Sequence, residues 1–210
     1  AADALARLQA SGWRMPALQA GALSVDFDLW RSVAVTYASA YGRFGVGEHP
    51  CGYAFSATTA QHTPRAATAV ERAAWLSDGS GIPPGAGVNI LDTRMQAPDV
   101  FQPGVQCLRQ LWSGSDAAAV RVQAGVAQTK AGLPSAGLPV MVVHGNADGL
   151  IPMAFSSAPY AAAAKAAGRE LSLWEIDHVQ HFDGFLALPD YAARYLPLLP
   201  YVYRALDALD

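Results

Sequence analysis

The sequence predicts an α/β fold in which a short parallel sheet with flanking helices follows a mainly helical region. From Leu138 onward the chain reads strand, loop, helix, strand, loop, helix, and a strand-helix-strand crossover is the unit of a parallel sheet. Up to about Gly137, short helical patterns alternate with glycine- and proline-rich loops, and little alternates as a strand should. We therefore predict a mainly helical cap or insertion over residues 1–137 and part of an α/β core over residues 138–210.

Four helices are predicted in the N-terminal region from apolar spacing and from residues that start or end helices. Aspartates precede the second helix, a hydroxyl followed by proline starts the third, and a glycine ends the fourth. The predicted helices run from Ala2 to Ala10, from Leu29 to Tyr41, from Thr63 and Pro64 to Leu76, and from Ser115 or Asp116 to Gly132, with a glycine-rich break at Asp78 to Gly87.

Two strands and one helix are predicted in the C-terminal region. Pro139 to Val143 is continuously apolar, as in a strand covered on both faces, and Leu171 to Ile176 is the next strand. The helix between them runs from Pro159 to Ala167 and ends at Gly168. Two parallel strands cannot form an independent sheet, so we expect an upstream segment to supply further strands.

The composition indicates a globular protein with a small-molecule substrate. With 52% hydrophobic and only 15% charged residues, a chain of 210 residues can bury a sizeable core, which argues against disorder. The net charge is −3 and the basic residues are dispersed, so we expect neither nucleic acid nor a membrane surface as a partner. No apolar run approaches the length of a membrane span.

Asp148 is the candidate catalytic acid. It follows the predicted strand in LPVMVVHGNADGLIP, and ligands of open α/β sheets collect at the carboxyl ends of strands. A carboxylate placed there can orient an imidazole and stabilise the imidazolium form. The alternative is an aspartate that only forms an Asx-turn in NADG. We interpret His144, in the same segment, as a structural residue with its ring bonded to nearby backbone.

His181 is the favoured catalytic base. It lies 33 residues after Asp148 in the loop DHVQHFDGF, and the chain order acid then histidine is that of α/β-hydrolases. Phe182 and Phe185 can bury themselves and hold this loop. His178, three residues earlier in the same loop, stays open as the alternative base.

The sequence contains no GxSxG motif with a strand before it and a helix after it. Ser80 leads into two prolines that preclude the helix required behind a nucleophilic serine, and Ser115 is better placed as a helix cap. We therefore expect the nucleophile in an upstream segment or in a second chain of the same enzyme.

A metal site is a second interpretation of the polar residues in the C-terminal region. Imidazoles and carboxylates are ordinary zinc ligands. However, HVQH lies in a predicted loop and not on the helix that a zinc protease motif requires, so we expect no metal and no cofactor. The residues of this alternative are His144, Asp148, His178, His181 and Asp183.

Cys51 and Cys107 are the two cysteines of the chain. They lie too far apart in sequence for a CxxC motif, and an even pair permits one disulfide bond. Two buried free thiols would fit the sequence equally well.

Three segments of the chain resemble the C-terminal part of the D-3-hydroxybutyrate oligomer hydrolases. They are VDFDLWRSVAVTYASAYGRFGVGEHPCGYAF, LPVMVVHGNADGLIP and VQHFDGFLALP. The resemblance implies a serine esterase that cleaves dimers and short oligomers of 3-hydroxybutyrate without a metal or organic cofactor. It carries Asp148 and His181 over as acid and base and places the serine upstream. Because members are often exported, it also implies a secreted or periplasmic protein with a Cys51–Cys107 disulfide.

Two other functions are considered. A tannase or feruloyl-esterase-like hydrolase of aromatic esters shares the HGxxD strand end, but its pattern places a cysteine beside the histidine. Here Gln180 and Phe182 flank His181, and no cysteine follows Cys107. The non-enzyme alternative is a binding domain derived from a hydrolase, in which the acid and the histidine are only structural.

Overall fold

A computed structural model of the chain describes residues 2–25, 28–45, 47–61, 63–75, 89–95, 98 and 100–209. The protein is a mixture of helix and sheet that divides into two compact units, Ala1–Phe27 with Ala131–Asp210, and Asp28–Lys130. The glycine-rich break and Ser80 lie outside the described residues. No helix in the described ranges is both long and apolar enough to cross a lipid bilayer.

The elements of the two units follow in chain order. They are α1 Ala2–Ala10, α2 Met15–Val25, α3 Leu29–Gly42, β1 Tyr53–Thr58, β2 Pro64–Arg65, α4 Ala69–Trp75, β3 Asn89–Asp92, α5 Gln102–Ser113, α6 Ala117–Thr129, β4 Val140–Gly145, α7 Ser157–Ala166, β5 Leu171–Ile176, α8 Pro189–Ala192 and α9 Leu199–Asp207.

The unit Asp28–Lys130 combines helices with a small antiparallel sheet. Its core is built from apolar residues of α3, β1, α5 and α6, including the fully buried Val35, Tyr53 and Val122. Strands β2, β1 and β3 pair in that order, both contacts being antiparallel. This sheet was not predicted. Strands of two to six residues next to glycine and proline carry too little alternation to be recognised.

Three of the four predicted helix starts in the N-terminal region can be compared with the structure. Asp28 lies at the N-cap of α3, but its side chain makes no capping hydrogen bond. Asp116 caps α6, since its Oδ1 accepts from the Ala119 amide at 2.8 Å, as the sequence indicated. The predicted start at Thr63 and Pro64 is wrong, because Pro64–Arg65 is strand β2. Helix α4 begins only after Thr68, and the side chains of Thr68 and Glu71 each bond the other's amide.

Cys51 and Cys107 form a disulfide that joins the turn before β1 to α5. Their Cα atoms lie 5.5 Å apart, and Cys51 is buried in the core of this unit. Of the two possibilities that the sequence left open, the structure therefore has the disulfide.

Removing this disulfide is expected to lower the free energy of unfolding by roughly 4 kcal/mol, because the cross-link closes a span of 56 residues in the unfolded chain. Urea unfolding of the Cys51→Ala/Cys107→Ala double variant against the wild-type protein measures this. Reductant should move the wild-type midpoint toward that of the variant and leave the variant unchanged. A wild-type unfolding midpoint that does not change when reductant is added would contradict the prediction.

The other unit contains the predicted parallel sheet. Strands β4 and β5 pair in parallel from Val140 opposite Leu171 to Gly145 opposite Ile176, and α7 lies between them in the chain. The strand-helix-strand prediction is thus confirmed, with β5 at the predicted bounds. Strand β4 differs from its prediction in two ways. It spans Val140–Gly145 and not Pro139 to Val143, and most of its side chains are only half buried and not covered on both faces.

Helices α1 and α2 belong to the same unit as this sheet, although the sequence placed residues 1–137 together. Contacts across the unit explain the grouping. A Cβ at Gly149, in the loop after β4, would collide with the backbone of Gly21 on α2. Arg14, just before α2, pairs with Glu175 on β5. The observed division therefore differs from the predicted boundary at residue 137.

Candidate active site

The site is formed by the loops that follow β4 and β5. The Asn146 amide donates to the Ile176 carbonyl at 2.9 Å, and the Ala147 amide donates to the Val179 carbonyl at 3.0 Å. A Cβ at Gly145 would collide with that same Val179 carbonyl, so this position requires glycine. The two loops are therefore held against each other by their main chains.

Asp148 is buried in the first of these loops, with 5% of its surface exposed. Its Oδ1 accepts from the amides of Leu150 at 2.9 Å and Ile151 at 2.7 Å. These bonds form the local turn that was the alternative interpretation of this aspartate. They occupy one carboxylate oxygen and leave Oδ2 for a partner on the other loop.

His181 is the partner of Asp148 Oδ2. Its Nδ1 lies 2.7 Å from that oxygen, and because a carboxylate only accepts, Nδ1–H is the donor. The side chain is 28% exposed. Within the described part of the chain, nothing bonds to its Nε2. The predicted meeting of the two side chains is confirmed, while their catalytic role stays a prediction.

The loop that carries His181 is fixed by its neighbours. The amide group of Gln180, which is 4% exposed, accepts from the Phe182 amide at 2.9 Å and donates to the Phe182 carbonyl. The Phe182 ring packs edge-on against the His181 ring, with centroids 4.3 Å apart. Asp183 bonds the amides at the start of α9. Sequence reasoning missed Gln180, since a glutamine in a loop carries no signal of burial.

His178, the alternative base, is not brought to Asp148. Its backbone is left-handed, with φ 59°, and its amide donates to the Asn146 side chain at 3.2 Å. Its carbonyl accepts from the Leu196 amide at 2.7 Å. The exposed side chain lines a different cavity of about 410 Å³, together with Arg194.

His144 faces the carboxylate of Asp148, contrary to the expectation that its ring bonds backbone. Its Nε2 is 3.4 Å from Asp148 Oδ2, and its side chain is 12% exposed. This nitrogen is buried and has no hydrogen-bond partner among the described residues. The interpretation of His144 as a backbone-bonded residue is therefore wrong for Nε2.

Opposing effects act on the ionisation of Asp148. Burial by itself would raise the pKa of this carboxyl group. The imidazoles of His144 and His181 and the Ile151 amide outweigh burial, and they hold the pKa well below its usual range. The carboxylate is therefore the ionised form at neutral pH.

A cavity of about 260 Å³ lies beside the pair. Its lining combines apolar side chains with both imidazoles and the carboxylate, and it consists of Val143, His144, Gly145, Asp148, Ile151, Ser156, Ser157, Gln180, His181 and Leu198.

The five residues of the alternative zinc site do not come together as metal ligands. Among the described residues, no group of three or more His, Cys, Asp or Glu side chains is placed to hold a metal ion. His178 lines the other cavity, and both oxygens of Asp183 bond main-chain amides.

The fold and this site define a mixed helix-and-sheet protein with a carboxylate-imidazole pair of the kind that hydrolases use to move a proton. The chain belongs to the 3HB-oligomer hydrolase family, whose model matches residues 1–209. The resemblance stated from the sequence is thereby confirmed.

Curated relatives of this family are similar over the whole chain. The D-(-)-3-hydroxybutyrate oligomer hydrolase of Paracidovorax citrulli (strain AAC00-1) is 40% identical over 234 residues, covering 100% of this chain and 32% of the relative. The enzyme of the same name from Azoarcus sp. (strain BH72) is 38% identical over 228 residues, covering 99% of this chain and 32% of the relative. The chain thus spans about a third of the length of these relatives. No solved structure matches the chain.

Proposed function

We propose that this chain supplies the acid and the base of a serine esterase that hydrolyses dimers and short oligomers of D-3-hydroxybutyrate to monomer. One observation carries the proposal: His181 Nδ1 lies 2.7 Å from Asp148 Oδ2, while Nε2 is left unbonded among the described residues. The names of the curated relatives support the substrate class.

In the proposed reaction a serine hydroxyl attacks the ester carbonyl, and His181 Nε2 takes its proton. The histidine then returns this proton to the leaving hydroxyl group as the acyl-enzyme forms. Water attacks the acyl-enzyme with the same histidine as base, which releases the second acid and restores the serine. Asp148 holds the Nδ1–H tautomer and stabilises the imidazolium ion in both halves of the reaction.

The serine belongs, in this proposal, to an upstream segment or a second chain of the same enzyme. Three facts support this. The sequence has no nucleophile motif, and the relatives are about three times as long as this chain. Strand β4 pairs only with β5 among the described strands, and its side chains are half buried. An additional parallel strand on its open edge would satisfy those backbone groups and complete a hydrolase sheet.

The assignment of a cap and of a cellular location also belongs to the proposal. We assign the cap or insertion to residues 28–130, the bounds of the compact unit, in place of residues 1–137. The Cys51–Cys107 disulfide supports a secreted or periplasmic protein, because disulfides persist in oxidising compartments.

The purified intact enzyme is expected to release 3-hydroxybutyrate from its linear dimer, and to act at least ten-fold more slowly on a feruloyl or galloyl ester. Chromatography of the products measures both rates. Faster hydrolysis of the aromatic ester would favour the tannase-like alternative. Absence of turnover on every ester, in folded protein with the upstream segment present, would favour a binding domain.

A further inference from the structure

His144 shares the carboxylate of Asp148 with His181, and the mechanism above does not use it. Its Nε2 lies 3.4 Å from Asp148 Oδ2, the same oxygen that His181 Nδ1 approaches at 2.7 Å. A buried polar nitrogen without a partner is unfavourable. Nε2 of His144 forms no hydrogen bond of standard geometry among the described residues, so the negative charge on Oδ2, 3.4 Å away, is the interaction that can offset this cost.

Other groups near His144 do not compete for its Nε2. Ser157 Oγ lines the same cavity, but this hydroxyl is also without a partner among the described residues, so the two are not bonded to each other. The remaining carboxylates of the neighbouring strand and loop are engaged elsewhere. Glu175, in register with His144 on β5, pairs with Arg14, Asp177 accepts from the Asn146 side chain, and Asp183 accepts from the amides of Leu198 and Leu199.

The charge of the carboxylate selects the tautomer of His144. An unprotonated Nε2 would bring its lone pair close to the negative oxygen, which is repulsive, whereas the positive end of an Nε2–H is attracted to that oxygen. The two amides on Oδ1 hold only one side of the carboxylate. We infer that His144 is a positioning residue of the proposed triad, whose Nε2–H is attracted to the charge of Asp148 Oδ2 and holds that oxygen toward His181.

The catalytic consequence of this inference rests on the proposed function. A donor on Oδ2 takes up part of the negative charge that His181 would otherwise receive. Without it the carboxylate favours the protonated form of His181 more strongly, so a higher pH is needed to generate the free base. The carboxylate of Asp148 also loses one of the side chains that hold it in position.

Replacing His144 by leucine in the intact enzyme is expected to shift the acidic limb of the pH profile of kcat/KM to higher pH, by about half a pH unit. The same variant should lower kcat about ten-fold with KM little changed. His144→Gln carries an N–H at similar reach and should restore the wild-type limb. A purely structural role would lower the stability of both variants and leave the limb in place.

His178→Asn is the matched control, because it changes a histidine of the neighbouring loop that does not touch the carboxylate. Asparagine also tolerates the left-handed backbone there. The control should keep the wild-type profile. The inference would be overturned if the acidic limb stays at the wild-type pH in folded His144→Leu. It would also be overturned if the limb shifts by the same amount in His144→Gln.

Nitrogen-15 NMR of the wild-type intact enzyme, labelled at histidine, tests the same inference without a variant and without activity. The neutral ring of His144 should carry its proton on Nε2. A proton on Nδ1 would overturn the inference even if the His144→Leu variant does not fold. If the enzyme proves inactive on esters, the proposed function fails, and the NMR result still decides whether His144 presents an Nε2–H to Asp148.

Discussion

Replacing His181 by alanine in the intact enzyme is expected to lower kcat on the hydroxybutyrate dimer by about 10⁴-fold, as removal of triad members does in other serine hydrolases. The physical reason is that the variant has no group to take the proton of the serine. His181 is the imidazole that lies 2.7 Å from the buried carboxylate while its second nitrogen stays unbonded among the described residues. Steady-state kinetics with the dimer measures the effect.

His178→Asn is the control for this prediction, because His178 belongs to the same loop and was the alternative base. Its side chain lines another cavity, and its main chain is held by Asn146 and Leu196. This variant should retain nearly all of the wild-type rate. If His178→Asn loses activity while His181→Ala is almost unaffected, His178 and not His181 is the catalytic base.

Replacing Asp148 by asparagine should also lower kcat by about 10⁴-fold, with little change in the local fold. The side-chain carbonyl oxygen of the introduced asparagine can still accept from the amides of Leu150 and Ile151, which bond Oδ1 in the wild type. Its NH₂ group would face His181 Nδ1, and two donors cannot bond. The imidazole therefore turns to the tautomer with the proton on Nε2, which cannot act as a base.

Asp177→Asn is the matched control for Asp148→Asn, since it makes the same chemical change on an exposed aspartate that bonds the Asn146 side chain. Its kcat should stay within a few-fold of wild type. Equal losses of rate in the two variants would contradict a special role for Asp148. Circular dichroism and unfolding midpoints of both variants separate a loss of chemistry from a loss of fold.

The lowered pKa of Asp148 predicts how the stability of the fold changes with pH. A carboxyl group with a folded-state pKa below its unfolded value stabilises the fold above the unfolded pKa, and this contribution is lost as the pH falls through the folded value. Asp148 thus stays ionised well below about pH 4, the ordinary range for aspartate. The acidic limb of activity should therefore come from an imidazole and not from this carboxylate. In Asp148→Asn, stability should depend less on pH in the strongly acidic range.

The parallel sheet and the pairing of acid and histidine could be predicted because their signals are local. Strand β5 has the predicted bounds, and its crossover helix differs by two residues at the start and one at the end. Parallel strands joined by a crossover bring their carboxyl ends to one edge, so a polar residue after each strand is brought to the same site. That rule places Asp148 beside the histidine loop from the order of the elements alone.

The small antiparallel sheet and the grouping of α1 and α2 with the C-terminal region could not be predicted in this way. Strands β2 and β3 are short, and they are stabilised by pairing with β1 rather than by their own pattern. The approach of Gly21 to Gly149 joins residues far apart in sequence. Such contacts depend on packing that no local window contains.

The sequence by itself determined the acid-then-histidine order, the parallel strands that carry the two residues and the family to which the chain belongs. Only the tertiary structure decided between His181 and His178 as the partner of Asp148, joined the two cysteines, and brought His144 and Gln180 into the site. The physical reason is that residue type and spacing set which chemistry a segment can perform. Which of two histidines meets a carboxylate depends on the local course of the backbone, which long-range packing sets.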